Sequence, residues 1–159
     1  NDIIEAKVTN DTENLYFYVK CAKDISEFNV ENSWMQLFVN TTNNASDGWY
    51  GYDYLINATP KSIDKTTVAS CTSSDGVLNT AEIGEVSYKV EGAEMMISVP
   101  LPMLGIENYK EIYIEFKWAD ADQQTKFLTM EDFYLYGDVA PLGRLNWIYQ
   151  NYIPEQGNN

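Results

Sequence analysis

Histidine is absent from the chain, and with it go the usual general base, the commonest metal ligand and the side chain that titrates near neutral pH. Ser-His-Asp and Cys-His triads are therefore excluded. Cysteine is confined to Cys21 and Cys71, too few for a zinc cluster and not in a CxxC spacing. Both fall at inward-reading positions of strand-like segments, and they form either one disulfide closing a long loop or two buried thiols. Basic residues are scarce, ten against 24 acids, for a formal net charge of −14. A surface of that sign repels phosphate backbones, so nucleic acid and anionic membrane are poor partners. Neutral ligands, divalent cations or basic protein surfaces suit it better, and the acidity also keeps a secreted protein soluble. No apolar run approaches the roughly 20 residues that cross a bilayer, so no membrane insertion is expected. The first residues, Asn1-Asp2-Ile3-Ile4, carry no initiator Met, basic segment or apolar signal core. They read as a module of a longer extracellular or cell-surface polypeptide.

Helical periodicity is equally hard to find, whereas alternation of apolar and polar residues runs from end to end. With 159 residues, 45% hydrophobic and 14% aromatic, the chain suits one domain with a real core. Ile4, Ala6 and Val8 alternate with Glu5, Lys7 and Thr9. After the turn cluster Asn10–Asn14, Leu15, Phe17, Val19 and Cys21 form the inner face of a second strand, completing a hairpin. Residues 34–39 predict a strand with Met35, Leu37 and Val39 inward and Trp34, Gln36 and Phe38 outward. Residues 49–57 predict another, rich in tyrosine, after the polar loop 40–48. Further strands are expected over 63–71, 77–90, 95–99, 112–118 and 144–149, with a loop at 137–141. Pro100–Gly105 reads as one helical turn ended by Gly105. The expectation is all-β: an antiparallel two-sheet β-sandwich, jelly-roll or immunoglobulin-like, of about nine strands. It would span 1–153 as a single module, with 154–159 a flexible C-terminal tail.

Several motifs occur in a suggestive order: Trp34-Met35-Gln36-Leu37-Phe38-Val39-Asn40, then Gly48-Trp49-Tyr50-Gly51-Tyr52-Asp53-Tyr54, Pro100-Leu101-Pro102-Met103-Leu104-Gly105-Ile106, Phe116-Lys117-Trp118-Ala119-Asp120 and Ala140-Pro141-Leu142-Gly143-Arg144-Leu145. Together they resemble the family-nine carbohydrate-binding modules and the wider DOMON-like sandwich group across nearly the whole chain. That resemblance implies a β-sandwich attached to a bacterial glycan-degrading or surface protein. It also implies a sugar ring held between two tryptophans, with charged side chains on its hydroxyls. Tyr136 stands at one sandwiching position and the loop before Trp34 at the other; Gln36 stands where the family has a glutamate and Leu55 where it has an arginine.

Aromatic rings bind sugars because the C–H face of a pyranose stacks on a flat ring. Trp34, Gln36, Tyr52, Trp118 and Tyr136 are the candidate ligand-binding residues, with core packing as the competing reading. The oxygen-rich loop suggests a structural calcium held by Asn40, Asp47 and Asp53, since calcium takes about six to eight hard oxygens. Asp120 and Asp122 are a second candidate pair, and Asx-turns explain such residues equally well. No carboxylate pair can be singled out for glycoside hydrolysis, and haem would have only methionines such as Met103 as ligands. The expected function is a non-catalytic carbohydrate-binding-like accessory module, with no cofactor beyond that calcium and with a glycan or another module of the parent protein as partner. The alternative is a structural or protein-interaction sandwich on the same scaffold.

Overall fold

The computed structural model describes residues 1–121 and 124–155. Strands β1 (Ile3–Asn10) and β2 (Asn14–Cys21) form the expected hairpin, with Val8 opposite Phe17 and Ala6 opposite Val19. Strands β3 (Gln36–Asn40), β4 (Tyr54–Ile56), β5 (Lys65–Ser74), β6 (Val77–Glu91) and β7 (Glu94–Pro100) follow. β5 and β6 are joined by Asp75 and Gly76, both at positive φ (50° and 84°), the backbone a two-residue hairpin requires. A single 3-10 turn, Leu101–Leu104, ends on Gly105 in the left-handed region, as its sequence predicts. The chain continues through β8 (Glu111–Ala121), helix α1 (Met130–Tyr136), β9 (Gly137–Ala140) and β10 (Trp147–Tyr152).

All pairings are antiparallel, and they link the strands into one ten-stranded sheet in the order β1-β2-β7-β6-β5-β4-β3-β8-β10, with β9 also on β8. The all-β antiparallel class expected from alternation is thus what the protein has. The sheet brings β2 opposite β8 across a common interior, where Phe17 meets Phe116 edge to face at 6.0 Å. Leu15, Phe17, Val19, Leu37, Val39, Ile97, Ile112 and Ile114 form this first core together with Trp34, Met35 and Trp118.

Three local departures from simple alternation follow from identifiable causes. Residues 49–53 are not a strand: Gly48, Tyr50 and Gly51 take positive φ, and Trp49 and Tyr52 close a tight turn by exchanging backbone hydrogen bonds of 2.9 Å. A Cβ on Gly48 would lie 2.0 Å from the Tyr52 carbonyl oxygen, so only glycine fits there. Residues 137–140, expected as loop, form strand β9 against β8. Residues 130–136 are helical, opened by the pattern Thr129-x-x-Asp132, in which the Asp132 carboxylate accepts the Thr129 amide at 2.8 Å. Residues 156–159 of the expected tail, and Asp122, lie outside the described residues.

The largest departure concerns the outer side of β3 and β8. Every residue of β3 is buried, not only alternate ones. A second core covers the outer face: Phe38, Trp49, Tyr52, Leu55, Phe127 and Phe133 pack there with Ala119 and Val139. Phe38 is its hub, with ring centroids of Trp49, Tyr52 and Phe133 within 5.2–5.5 Å. Lys117, also on this face and fully buried, donates from Nζ to the carbonyls of Pro141 and Gly143, fastening the loop between β9 and β10 over β8. Gly143 has φ +68°, which lets the chain aim that carbonyl inward without a Cβ penalty. Phe38→Ala should destabilise the protein by about 3–5 kcal/mol, since it opens a cavity at a site bounded by three other rings. Chemical denaturation at equilibrium checks this; a loss below about 1 kcal/mol would mean that the second core is not closely packed.

Candidate functional site

The rings expected to form an exposed platform do not form one. Trp34, Tyr52 and Trp118 are buried, and they divide between the two cores: Trp34 and Trp118 in the first, Tyr52 in the second. Tyr136, the last residue of α1, is exposed and belongs to neither. Gln36 is buried, with its side-chain nitrogen 3.4 Å from the Ala58 carbonyl oxygen. Trp34 leaves the face shared by Gln36 and Phe38 because Met35 has φ +44°, which breaks the alternation at the strand's entrance. Two groups hold that kink. The Asp120 carboxylate accepts the Met35 amide at 2.8 Å. The fully buried Asn57 donates to the carbonyls of Trp34 (3.0 Å) and Met35 (2.8 Å) while accepting the Thr66 hydroxyl at 2.6 Å.

The kink turns the Trp34 indole to the base of an open cleft of about 580 Å³ between the segments 25–28 and 60–63 and the end of β6. Phe28 and Tyr88 stand edge to face on either side of Trp34, with ring centroids at 5.8 and 6.4 Å. Ile25, Pro60, Ile63 and Val90 complete an apolar lining, and Ile63 is 90% exposed on the rim. Two of the polar groups are spent within the wall, and Lys61 is paired outside it. Trp34 Nε1 donates to the Ser26 carbonyl at 2.9 Å, and Tyr88 donates to the Ser62 carbonyl at 2.7 Å. Lys61 pairs with Glu82 at 3.3 Å. Burial, aided by nearby Asp64, raises the Tyr88 pKa, so the phenol stays a donor throughout the neutral range. Such a cleft can stack a flat or apolar ligand.

Sequence reasoning located Trp34 and missed Phe28, Ile63 and Tyr88. Phe28 is the one aromatic in the polar stretch 23–33, a signal that a loop doubles back onto the core.

The residues considered for calcium are brought to one loop, where their oxygens cap the backbone. Asn40 Oδ1 accepts the amides of Thr42 and Asn43, both at 3.1 Å. Asp53 Oδ2 accepts the Thr41 amide at 2.8 Å, and Asp47 Oδ1 accepts from the Asn44 side chain at 3.1 Å. These are Asx-type loop bonds. Asp120 faces Met35 and the amino nitrogen of Asn1, away from that loop. Among the described residues no three His, Cys, Asp or Glu side chains come together as a metal-holding group.

Cys21 and Cys71 are both free and buried, one in each core, so no bridge joins them. Burial pushes their thiols up to about 11 and about 12, which makes them unreactive packing groups. No helix among the described residues is long and apolar enough to cross a membrane. Comparisons with protein-family models, with curated proteins and with solved structures found no match.

Desolvation lowers the Lys117 pKa to about 8 from its ordinary 10.5. Between these values the unfolded chain holds a proton that the folded protein has released, so the lysine's contribution to stability rises with pH across that window. Below about pH 8 both states are protonated and the buried charge is a constant penalty. Lys117→Met should therefore be most favourable relative to the parent below pH 8. Its advantage should shrink by about 3 kcal/mol at most as the pH approaches 10.5, at 1.36 kcal/mol per pKa unit. Parallel denaturation curves at intervals from pH 7 to 10.5 measure it, and a pH-independent difference would refute the buried ammonium.

Proposed function

We propose that the chain is a non-catalytic binding module of a secreted or cell-surface bacterial protein, carbohydrate-binding-like in kind, that holds a glycan at the Trp34 cleft. The observation that carries the reading is the edge-to-face series Phe28–Trp34–Tyr88 lining an open recess. A sugar's C–H face has apolar rings to lie against there. The motif order that resembles family-nine carbohydrate-binding modules supports the same reading, and so does a net charge of −14, which favours neutral ligands over anionic ones. Without histidine the module performs no acid–base chemistry of the usual kind. It acts by tethering, raising the local concentration of its parent protein on the glycan.

One observation favours the alternative, a protein-interaction module on the same scaffold. The Trp34 and Tyr88 donors are already bonded within the wall, and the rim is aliphatic, Ile25, Ile63 and Val90. Such a lining suits an apolar side chain from a partner protein more than a ring of hydroxyls.

Titration with a panel of neutral oligosaccharides, read by tryptophan emission, decides between them. On the glycan reading at least one sugar shifts the emission saturably, and Trp34→Phe removes the shift. Phe28→Ala and Ile63→Ser should then weaken binding about tenfold, or about 1.4 kcal/mol, without altering the melting temperature. Silence across the panel would leave the protein-interaction reading in its place.

A further inference from the structure

We propose that the outer cover of the second core, built by α1 and the loop 141–146, is a self-association surface through which two copies of this chain pair about a twofold axis. Both pieces sit on the same side of the molecule. Phe133 of α1 packs on Phe38 and Trp49, while Asn146 of the loop accepts the Tyr52 hydroxyl at 2.6 Å. Tyr52 and Phe133 both pack on the Phe38 ring, at 5.5 and 5.2 Å, so helix and loop adjoin around it. Their inward sides are thus fully engaged.

Their outward sides are apolar and unpartnered. Leu142 is 75% exposed, Leu145 72% and Leu135 65%, with Tyr134 beside them. Single exposed apolar residues are ordinary on a monomer, whereas a group of them marks an interaction site. The group is also held ready: the two carbonyl bonds from buried Lys117 fix the loop that carries Leu142 and Leu145, so little ordering remains to oppose association.

Charge identifies the occupant. Of the 24 acids in the chain, none lies between Asp138 and Glu155, and this stretch holds Arg144, the sole arginine. Over the rest of its surface a chain of net charge −14 repels its own copy. The loop 141–146 has no carboxylate of its own to desolvate, and its exposed Arg144 is opposite in sign to the exposed Glu131 of α1. A face carrying both signs around an apolar centre is self-complementary under a twofold axis, as an isologous interface requires. The surface lies apart from the Trp34 cleft, and the proposal stands whether or not the module binds a glycan.

Sedimentation of the chain from micromolar to millimolar concentration, at about 0.05 M and about 0.5 M salt, tests the proposal. The expected result is a monomer–dimer equilibrium that tightens at the higher salt, where the long-range repulsion is screened. Leu142→Asp and Leu145→Asp should each weaken the dimer about tenfold or more. They should leave the melting temperature of the dilute monomer unchanged, because both side chains are already in solvent. A chain that stays monomeric throughout, a dimer indifferent to both substitutions, or growth past the dimer would each overturn it.

Discussion

Burial of β3 and β8 on both faces is the constraint on which the rest of this structure depends. A sheet strand with one solvated face can place its aromatic residues outward, as a planar sugar platform would need. Here the outward side of β3 is roofed by Trp49, Tyr52 and Phe133 gathered around Phe38, and β8 is covered from Phe116 to Ala121. With both sides claimed there, none of the rings Phe38, Phe116 and Trp118 remains free for a ligand. What stays open is a cleft at the strand's entrance, where the Met35 backbone turns Trp34 out of register.

The roof rests on polar contacts placed within an apolar layer. Lys117 reaches two carbonyls of the covering loop. Trp49 Nε1 donates to the Gly76 carbonyl at 2.9 Å, tying the tight turn to the β5–β6 hairpin. Tyr52 fastens Asn146. Each is a buried donor with its acceptor supplied by backbone or amide, so no hydrogen bond is lost, although the Lys117 charge still carries a desolvation cost. The indole N–H of Trp118 is the exception: it is buried and has no acceptor among the described residues.

Much of the fold was legible because period two reports directly on one buried face. Leu15, Phe17, Val19 and Cys21 are buried and Tyr16, Tyr18 and Lys20 are not, as their alternation requires. The turn at Gly105 was equally plain from local chemistry. What alternation cannot report is whether the other face is later covered by distant residues. Phe38 reads as outward, yet it and Lys117 are fully buried because α1 and the loop after β9 return over them from far along the chain. Thr129-x-x-Asp132 was the local signal for that helix. The candidate site was legible only in part: Trp34 was singled out, but as a platform and not as the base of a cleft. Phe28, Ile63 and Tyr88 join it through tertiary contacts that no local pattern encodes.

The molecule thus separates three jobs: a first core that closes the sheet, a second core that consumes the expected platform, and a cleft left open at Trp34. Hydrogen exchange of the tryptophan indole N–H groups tests that division most directly. Trp49 and Trp118 should exchange only through global unfolding, and Trp34, at the base of an open cleft, through smaller local openings at a faster rate. Exchange of Trp49 as fast as that of Trp34 would mean that the roof over β3 opens readily in the native protein, and the account of a platform lost to two-sided burial would be contradicted.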